Sequence, residues 1–189
     1  MAGPLTGIRI LDLSSVVSGP LATAHLADQG ADVIKVEPLA GDISRRSRQK
    51  ISADGQFSAM FVSVNRGKRS IALDLKQAEA VAIVRALALN ADVLVQNFRP
   101  GTMERLGVGE VELRASNLRL IYVSISGVGD SGPYVKKRIY DPMIQALSGL
   151  ADIQSHPETN RPQMIRTILA DKTTSIFAAQ AITAALFAR

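Results

Sequence analysis

The chain has 189 residues, 47% of them apolar and 4% aromatic, with 22 basic against 17 acidic side chains and a net charge of +5. That length can bury a real core in one domain, and so small and dispersed a charge gives no support for nucleic-acid binding while suiting an anionic small ligand. With no cysteine there is no disulfide framework and no thiolate-held metal. No apolar run reaches membrane-spanning length and the opening MAGPLTG has no secretory pattern, so a cytoplasmic protein without membrane contact is expected.

Residues 8–37 read as one βαβ unit. Residues 8–13 are an apolar, partly β-branched run, the pattern of a buried strand. Gly19-Pro20 opens a helix, Pro20 in its first turn where a missing N–H costs nothing. Leu21, Ala24, Leu26 and Ala27 give it an apolar face, Gly30 ends it, and residues 32–37 form a second strand. Such a unit builds a crevice at the carboxyl ends of its strands. The loop there, residues 14–19, lacks a dinucleotide fingerprint, so another ligand is expected. Residues 38–69, with Arg45, Arg46, Arg48 and the run Asn65-Arg66-Gly67-Lys68-Arg69, read as a solvated loop.

A third strand is expected at residues 70–73. A capping box of Asp74 and Gln77 then starts a helix whose buried face is Ala80, Val81, Val84, Leu87 and Ala88, with Asn90 as a left-handed stop. Residues 92–96 are a fourth strand, followed by the turn Asn97-Phe98-Arg99-Pro100-Gly101. Short helices are expected at 102–106 and 110–116, a fifth strand at 119–126 and a long loop at 127–139. Asp141-Pro142 reads as an N-cap and first-turn proline of a helix reaching about residue 150. Residues 151–165 read as loop with room for a hairpin, and an alanine-rich helix starts at Asp171. The fold class is α/β, a Rossmann-like parallel sheet with helices on both faces.

Three features carry chemical alternatives. Gly127 to Gly132 match G-x-G-x-x-G, but Pro133 follows where a helix should open, so a loop over a site fits better than a pyrophosphate cradle. His25 and His156 have neither metal-ligand spacing nor a nucleophile partner and are assigned to structure or surface. Asp171 reads either as a helix N-cap or as a carboxylate kept ionised by helix N–H groups, able to attack an activated acyl group; the residues alone leave both readings open.

Taken in order, several segments resemble the family III CoA-transferases (the CaiB/BaiF group, which includes formyl-CoA transferase and carnitine CoA-transferase). They are Leu11-Asp12 leading to Gly19-Pro20; residues 30–37, GADVIKVE; residues 65–71, NRGKRSI; residues 97–101, NFRPG; Leu120-Ile121-Tyr122 to Gly127; and Tyr140-Asp141 through Gln145-Ala146 to Ser148-Gly149. The resemblance implies that Asp171 is the nucleophile that attacks an acyl-CoA thioester, and that a small carboxylic acid takes over the CoA. It places the CoA-binding positions at Val17, Lys68, Arg69, Asn97, Phe98, Arg99, Arg105, Arg138 and Tyr140, where basic side chains suit phosphate groups. Coenzyme A is then a substrate, with no tightly bound cofactor and no metal.

The chain departs from the pattern in two ways. Val17 stands where formyl-CoA transferase has glutamine, which speaks against a formyl or oxalyl substrate. Family members are also substantially longer and add a second, smaller domain. The resemblance therefore implies that residues 1–189 are the N-terminal part of the large domain, lacking that second domain, and that a homodimer or a partner chain supplies the rest. Two alternatives accompany it: a non-catalytic CoA-binding fragment or dimerisation partner, and an alpha-methylacyl-CoA racemase. The racemase reading is the weaker, because Tyr140 stands where its catalytic histidine belongs and a phenol is a poor base at neutral pH.

Overall fold

Strand β1 (Arg9–Asp12) lies at the centre of a single five-stranded sheet in the computed structural model, which describes residues 3–189. β2 (Asp32–Glu37) and β4 (Val93–Gln96) flank it, with β3 (Arg69–Ala72) and β5 (Ile121–Ser124) at the edges. The order is β3-β2-β1-β4-β5 and every pairing is parallel, Leu11 aligning with both Ile34 and Leu94. Parallel neighbours need crossovers. These run through α1 (Ser18–Asp28), α2 (Ala59–Asn65), α3 (Ala78–Leu89), and the pair α4 (Thr102–Arg105) and α5 (Glu110–Ser116). After β5 come α6 (Asp141–Leu147), α7 (Leu150–Ile153) and α8 (Leu169–Ala188). The expected Rossmann-like α/β architecture is therefore present.

The central strands have apolar residues on both faces, with helices packed on each side. Ile10, Val33, Val93 and Val95 pack under α1 and α8, against Ala22, Leu26, Ala179 and Ile182. Leu11, Ile34 and Leu94 point the other way, toward Val84 and Ala88 of α3, Met103 of α4 and Leu113 of α5. No helix among the described residues is long and apolar enough to cross a membrane.

Local hydrogen bonding corrects several sequence expectations. The loop expected over 38–69 holds a 3₁₀ turn, Ile43–Arg46, capped by the Asp42 carboxylate, and α2, capped by the Ser58 hydroxyl. Asp74 forms no capping box; its carboxylate accepts the nearby Lys76 N–H instead. Asn90 closes α3 with φ −112°, so it is not left-handed. The helix opened by Asp141-Pro142 ends at Leu147, Gly149 (φ +78°) breaks it, and α7 follows where loop was expected. Residues 156–161 make a tight turn closed by His156 N–H on the Arg161 carbonyl, without a strand hairpin.

Beneath the carboxyl ends of β1 and β2 lies a buried network of charges. Lys68 Nζ donates to Asp12 at 2.9 Å, to the Pro20 and Val64 carbonyls and to Asn65 Oδ1. Asp12 also accepts Thr23 Oγ1 at 2.7 Å, the Ser14 N–H and the Ser14 hydroxyl. Lys35, only 1% exposed, pairs with Asp42 at 3.0 Å and donates to the Ser14 carbonyl at 2.8 Å. Glu37 takes a two-bond Arg45 fork at 2.7 Å, the Ser70 hydroxyl and the Asp42 N–H. Arg45 in turn lies 3.7 Å over the Phe61 ring.

Burial alone would raise Asp12, but the Lys68 and Lys35 charges and the Ser14 bond outweigh it and hold the carboxyl at about 2. Burial likewise opposes ionised Glu37, which the Arg45 and Ser70 bonds hold at about 2. Burial pulls Lys68 down to about 8 although Asp12 favours its charge, and the pair is ionic at neutral pH. Both carboxyls bind protons less readily folded than unfolded, so their contribution is present above the unfolded values near 4 and is lost as pH falls toward 2. The unfolding free energy from urea titrations should fall between pH 5 and pH 2, by on the order of 2–3 kcal/mol for each carboxylate. Lys68→Met strands Asp12 as a buried, unpaired anion and should cost about 3–5 kcal/mol at pH 7. A variant as stable as the parent would show the pair to be dispensable.

Candidate functional site

After β1 the chain turns toward β2, and after β4 it turns toward β5. Their carboxyl-end loops therefore diverge, and a crevice opens at this switch point. The crevice is a cleft of ≈ 380 Å³. Its walls are the β1–α1 loop, the turn after β4, the loop after β5, the start of α6 and the first turns of α8.

Asn97 joins the two diverging loops. Its Oδ1 accepts the Ser15 N–H at 2.9 Å and its Nδ2 donates to the Ser15 carbonyl at 2.8 Å, the reciprocal pairing of one backbone with another. Next in the loop, Val16 sits at φ +69°, a strained setting for a β-branched residue that costs on the order of 1–3 kcal/mol. Asn97 on one side and the Asp42 carboxylate, 3.4 Å from the Val16 N–H, on the other hold it there. Gly19 lets α1 close on this loop, because a Cβ at that position would lie 2.3 Å from Ser14 Cβ. Gly127 does the same across the cleft, where a Cβ would strike the Ile139 side chain; that close approach is the work of the glycine-rich stretch, which opens no helix.

Asp171 lines this cleft from the first turn of α8. It is not the N-cap: Ile168 holds that position and has no side chain able to cap. The cap comes from another helix. Asp141 Oδ2 accepts the Asp171 N–H at 3.0 Å, and Oδ1 accepts Gln145 Nε2 at 2.6 Å. Asp141 is correspondingly the first residue of α6 rather than its N-cap, a position taken by Tyr140, because its carboxylate turns inward to α8. Burial, and next the neighbouring Asp141 charge, raise the Asp171 carboxyl above the ordinary aspartate range, while the Ser18 hydroxyl works against both.

The cleft gathers Asp171, Val17, Asn97, Phe98, Arg99, Arg138 and Tyr140. Arg99, Arg138 and Tyr140 are exposed on its rim, whereas Val17 is buried in its floor. Arg105 stands outside the lining, exposed on α4, where it bonds Thr102 Oγ1. The positions of Lys68 and Arg69 require correction. All of the Lys68 donors are spent in the interior, which leaves none for a phosphate. Arg69 begins β3 and forks onto Asp32 at the start of β2, so it lies at the amino edge of the sheet, opposite the cleft. Ser18, Lys137 and Thr174 also line the cleft and were not singled out from the sequence. Lys137 had a signal, being adjacent to Arg138 in a basic run; Ser18 and Thr174 had none. The half-buried Phe98 ring, the exposed Tyr140 ring, a carboxylate with a raised pKa and several cations around one cleft can bind an anion and attack an electrophile beside it.

Residues 5–189 match the sequence profile of CoA-transferase family III. The chain is 43% identical to a succinate–glutarate CoA-transferase of Agrobacterium fabrum, covering 97% of this chain and 47% of that protein. It is 41% identical to an acetyl-CoA:oxalate CoA-transferase of Acetobacter aceti, covering 99% of this chain and 48% of that one. The crystal structure of a CAIB/BAIF family protein from Brucella suis superposes with a TM-score of 0.95 at 39% identity, over all of this chain and 50% of that one. The chain thus spans about half the length of the relatives it matches. Its profile match and its fold both say that it belongs to CoA-transferase family III.

Proposed function

We propose that this chain contributes the CoA-binding cleft and the nucleophile of an enzyme that moves CoA from an acyl-CoA thioester to a carboxylic acid. The observation that carries the reading is the half-buried Asp171 carboxylate, fixed at the start of a 20-residue helix in a cleft rimmed by Arg99, Lys137 and Arg138. Asp171 attacks the thioester carbonyl; the C–S bond breaks and CoA leaves as thiolate, giving an acyl–aspartyl anhydride. The thiolate then attacks the aspartyl carbonyl, releasing the donor acid and leaving CoA on Asp171 as a thioester. The acceptor carboxylate reverses both steps and departs as the new acyl-CoA. A carboxylate is a weak nucleophile, so the activated thioester and a fixed approach supply what it lacks.

The phosphates lie against the basic rim, where several cations meet several anionic charges. Phe98, packed against the core below it, and Tyr140 offer apolar faces to the rest of the ligand. No tightly bound cofactor is required. The protein works in the cytoplasm, and the active assembly is a homodimer or a pairing with a partner chain. The names of the relatives point to small dicarboxylates among the acids handled.

Hydroxylamine trapping during turnover should modify Asp171, as read by mass spectrometry. Asp171→Asn should lower transfer by more than about 10³-fold, and modification of Asp141 instead would sink the assignment. The same substitution should stabilise the fold at pH 7. The carboxyl is raised in the folded state, so its favourable contribution is full below the unfolded value and lost as pH rises through the folded one. Asn removes that loss, and a lower melting temperature would contradict the burial account. Arg138→Ala should weaken CoA binding about tenfold at low salt, with the gap narrowing as salt rises. Equal affinities would remove Arg138 from the phosphate site.

A further inference from the structure

Gln145 is 2% exposed, on the buried face of α6, and every polar group of its amide is used. Nε2 donates to Asp141 Oδ1 at 2.6 Å and to the Thr167 carbonyl at 3.2 Å, while Oε1 accepts the Ile165 N–H at 2.9 Å. One amide therefore reads the backbone of the segment leading into α8 as a neighbouring strand would, and simultaneously grips the carboxylate that caps α8 at Asp171. No cation pairs with Asp141 among the described residues. Its hydrogen bonds come instead from the Gln145 amide and the Asp171 N–H, at the N-terminal end of a helix whose dipole favours an anion.

We propose that Gln145 is the positioning residue of this site: its buried amide locks Asp141 to the 165–167 segment and, through Asp141, fixes where the first turn of α8 presents Asp171. The inference rests on the proposed role of Asp171, but its geometry does not. A side chain that only filled space at this position would not need both a donor and an acceptor aimed at two backbone groups of the incoming segment. Replacing it leaves the Ile165 N–H and one Asp141 oxygen without partners in the interior. The charged or titratable groups around Asp171 are Asp141 from α6, Tyr140, Lys137 and Arg138 before it, Arg99 after β4, and Lys172 on α8, bonded to Thr167; α1 presents only the neutral Ser18.

The test compares the parent chain with Gln145→Met, Asp141→Asn and the double variant. It reads backbone amide exchange and the ¹³C-carboxyl titration of Asp171, assigned by its absence in Asp171→Asn. With Gln145→Met the Asp171 amide should exchange at least about tenfold faster while the β4 amides keep their protection. Asp171 should titrate at lower pH, because the burial and the Asp141 charge that raise it are both relaxed. Adding Gln145→Met to Asp141→Asn should bring little further change, since both act through one carboxylate. If Gln145→Met does not fold, the isosteric Asp141→Asn must itself speed Asp171 exchange and lower its titration, or the proposal is wrong. A uniform loss of protection across the sheet, an unmoved Asp171 titration, or additive effects would each overturn it. In the active assembly Gln145→Met should lower kcat about tenfold with KM for acyl-CoA within about twofold. The exchange and titration arms need no turnover, so a chain that transfers no CoA yet shows the coupled response sinks the transferase reading and leaves the clamp standing.

Discussion

The structure depends on the ions buried under the carboxyl ends of β1 and β2. Lys35 and Lys68 are embedded among Asp12, Asp42 and the backbone carbonyls of the β1–α1 loop, so the loop cannot move without stranding a charge in the interior. Packing alone would not set the path of this loop, because apolar contacts are non-directional. The ion pairs are directional, and they bring Ser14 to the spot where Gly19 must close on it. They also supply the constraint that a strained Val16 needs. A left-handed valine persists only where its surroundings over-determine it, and Asp42, itself held by Lys35, is part of that surrounding.

From this base the cleft follows from topology. The switch point separates two loops that would otherwise drift apart, and Asn97 rejoins them through both atoms of its amide. The side chain that the family resemblance assigns to CoA contact therefore has its amide occupied with Ser15, and it shapes the cleft floor rather than reaching freely for a ligand. The same sorting applies across the basic residues. Arg99 and Arg138 project from the rim, whereas Lys68, in a motif of equally basic appearance, has been taken into the core. Charge in a sequence does not distinguish these fates; the count of nearby carbonyls and carboxylates does.

The sheet was readable from sequence because its central strands are short runs rich in apolar, β-branched residues bounded by glycine, proline or polar turns. The strand order from β3 to β5, with its switch point between β1 and β4, was not read from the sequence, because a βαβ pattern does not say on which side each new strand is added. What sequence missed is of two kinds. α2, α7 and the 3₁₀ turn are one or two turns long, too short for periodicity to register; single side chains cap α2 (Ser58) and the 3₁₀ turn (Asp42), and a left-handed Gly149 precedes α7. The role of Asp141 was misassigned for a different reason. An Asp-Pro pair is a helix start by local rules, and so it is here, but the carboxylate serves α8, thirty residues downstream. Local propensity cannot show a cap supplied from another helix. The place of Asp171 at the start of α8 was legible, and its N-cap reading failed because Asp141 had already supplied that hydrogen bond.

Two carboxylates at one helix start is a costly arrangement. The α8 dipole and the Asp171 N–H that Asp141 accepts offset part of the cost, yet burial and mutual repulsion still raise Asp171. A fold selected for stability alone would keep the capping carboxylate and replace the second. Retaining both gives Asp171 a higher proton affinity than an exposed aspartate and, under the proposed transferase reading, greater nucleophilicity toward a thioester carbon, while Asp141 holds the backbone that carries it. The site thus gives up stability at Asp171 and recovers rigidity through Asp141 and Gln145. That division suits the transfer proposed above, in which the same carboxylate would be nucleophile, anhydride and thioester in turn. Under that proposal its oxygen would have to return to one position after each step, and a helix pinned from outside its own sequence by a buried amide and a carboxylate offers such a position.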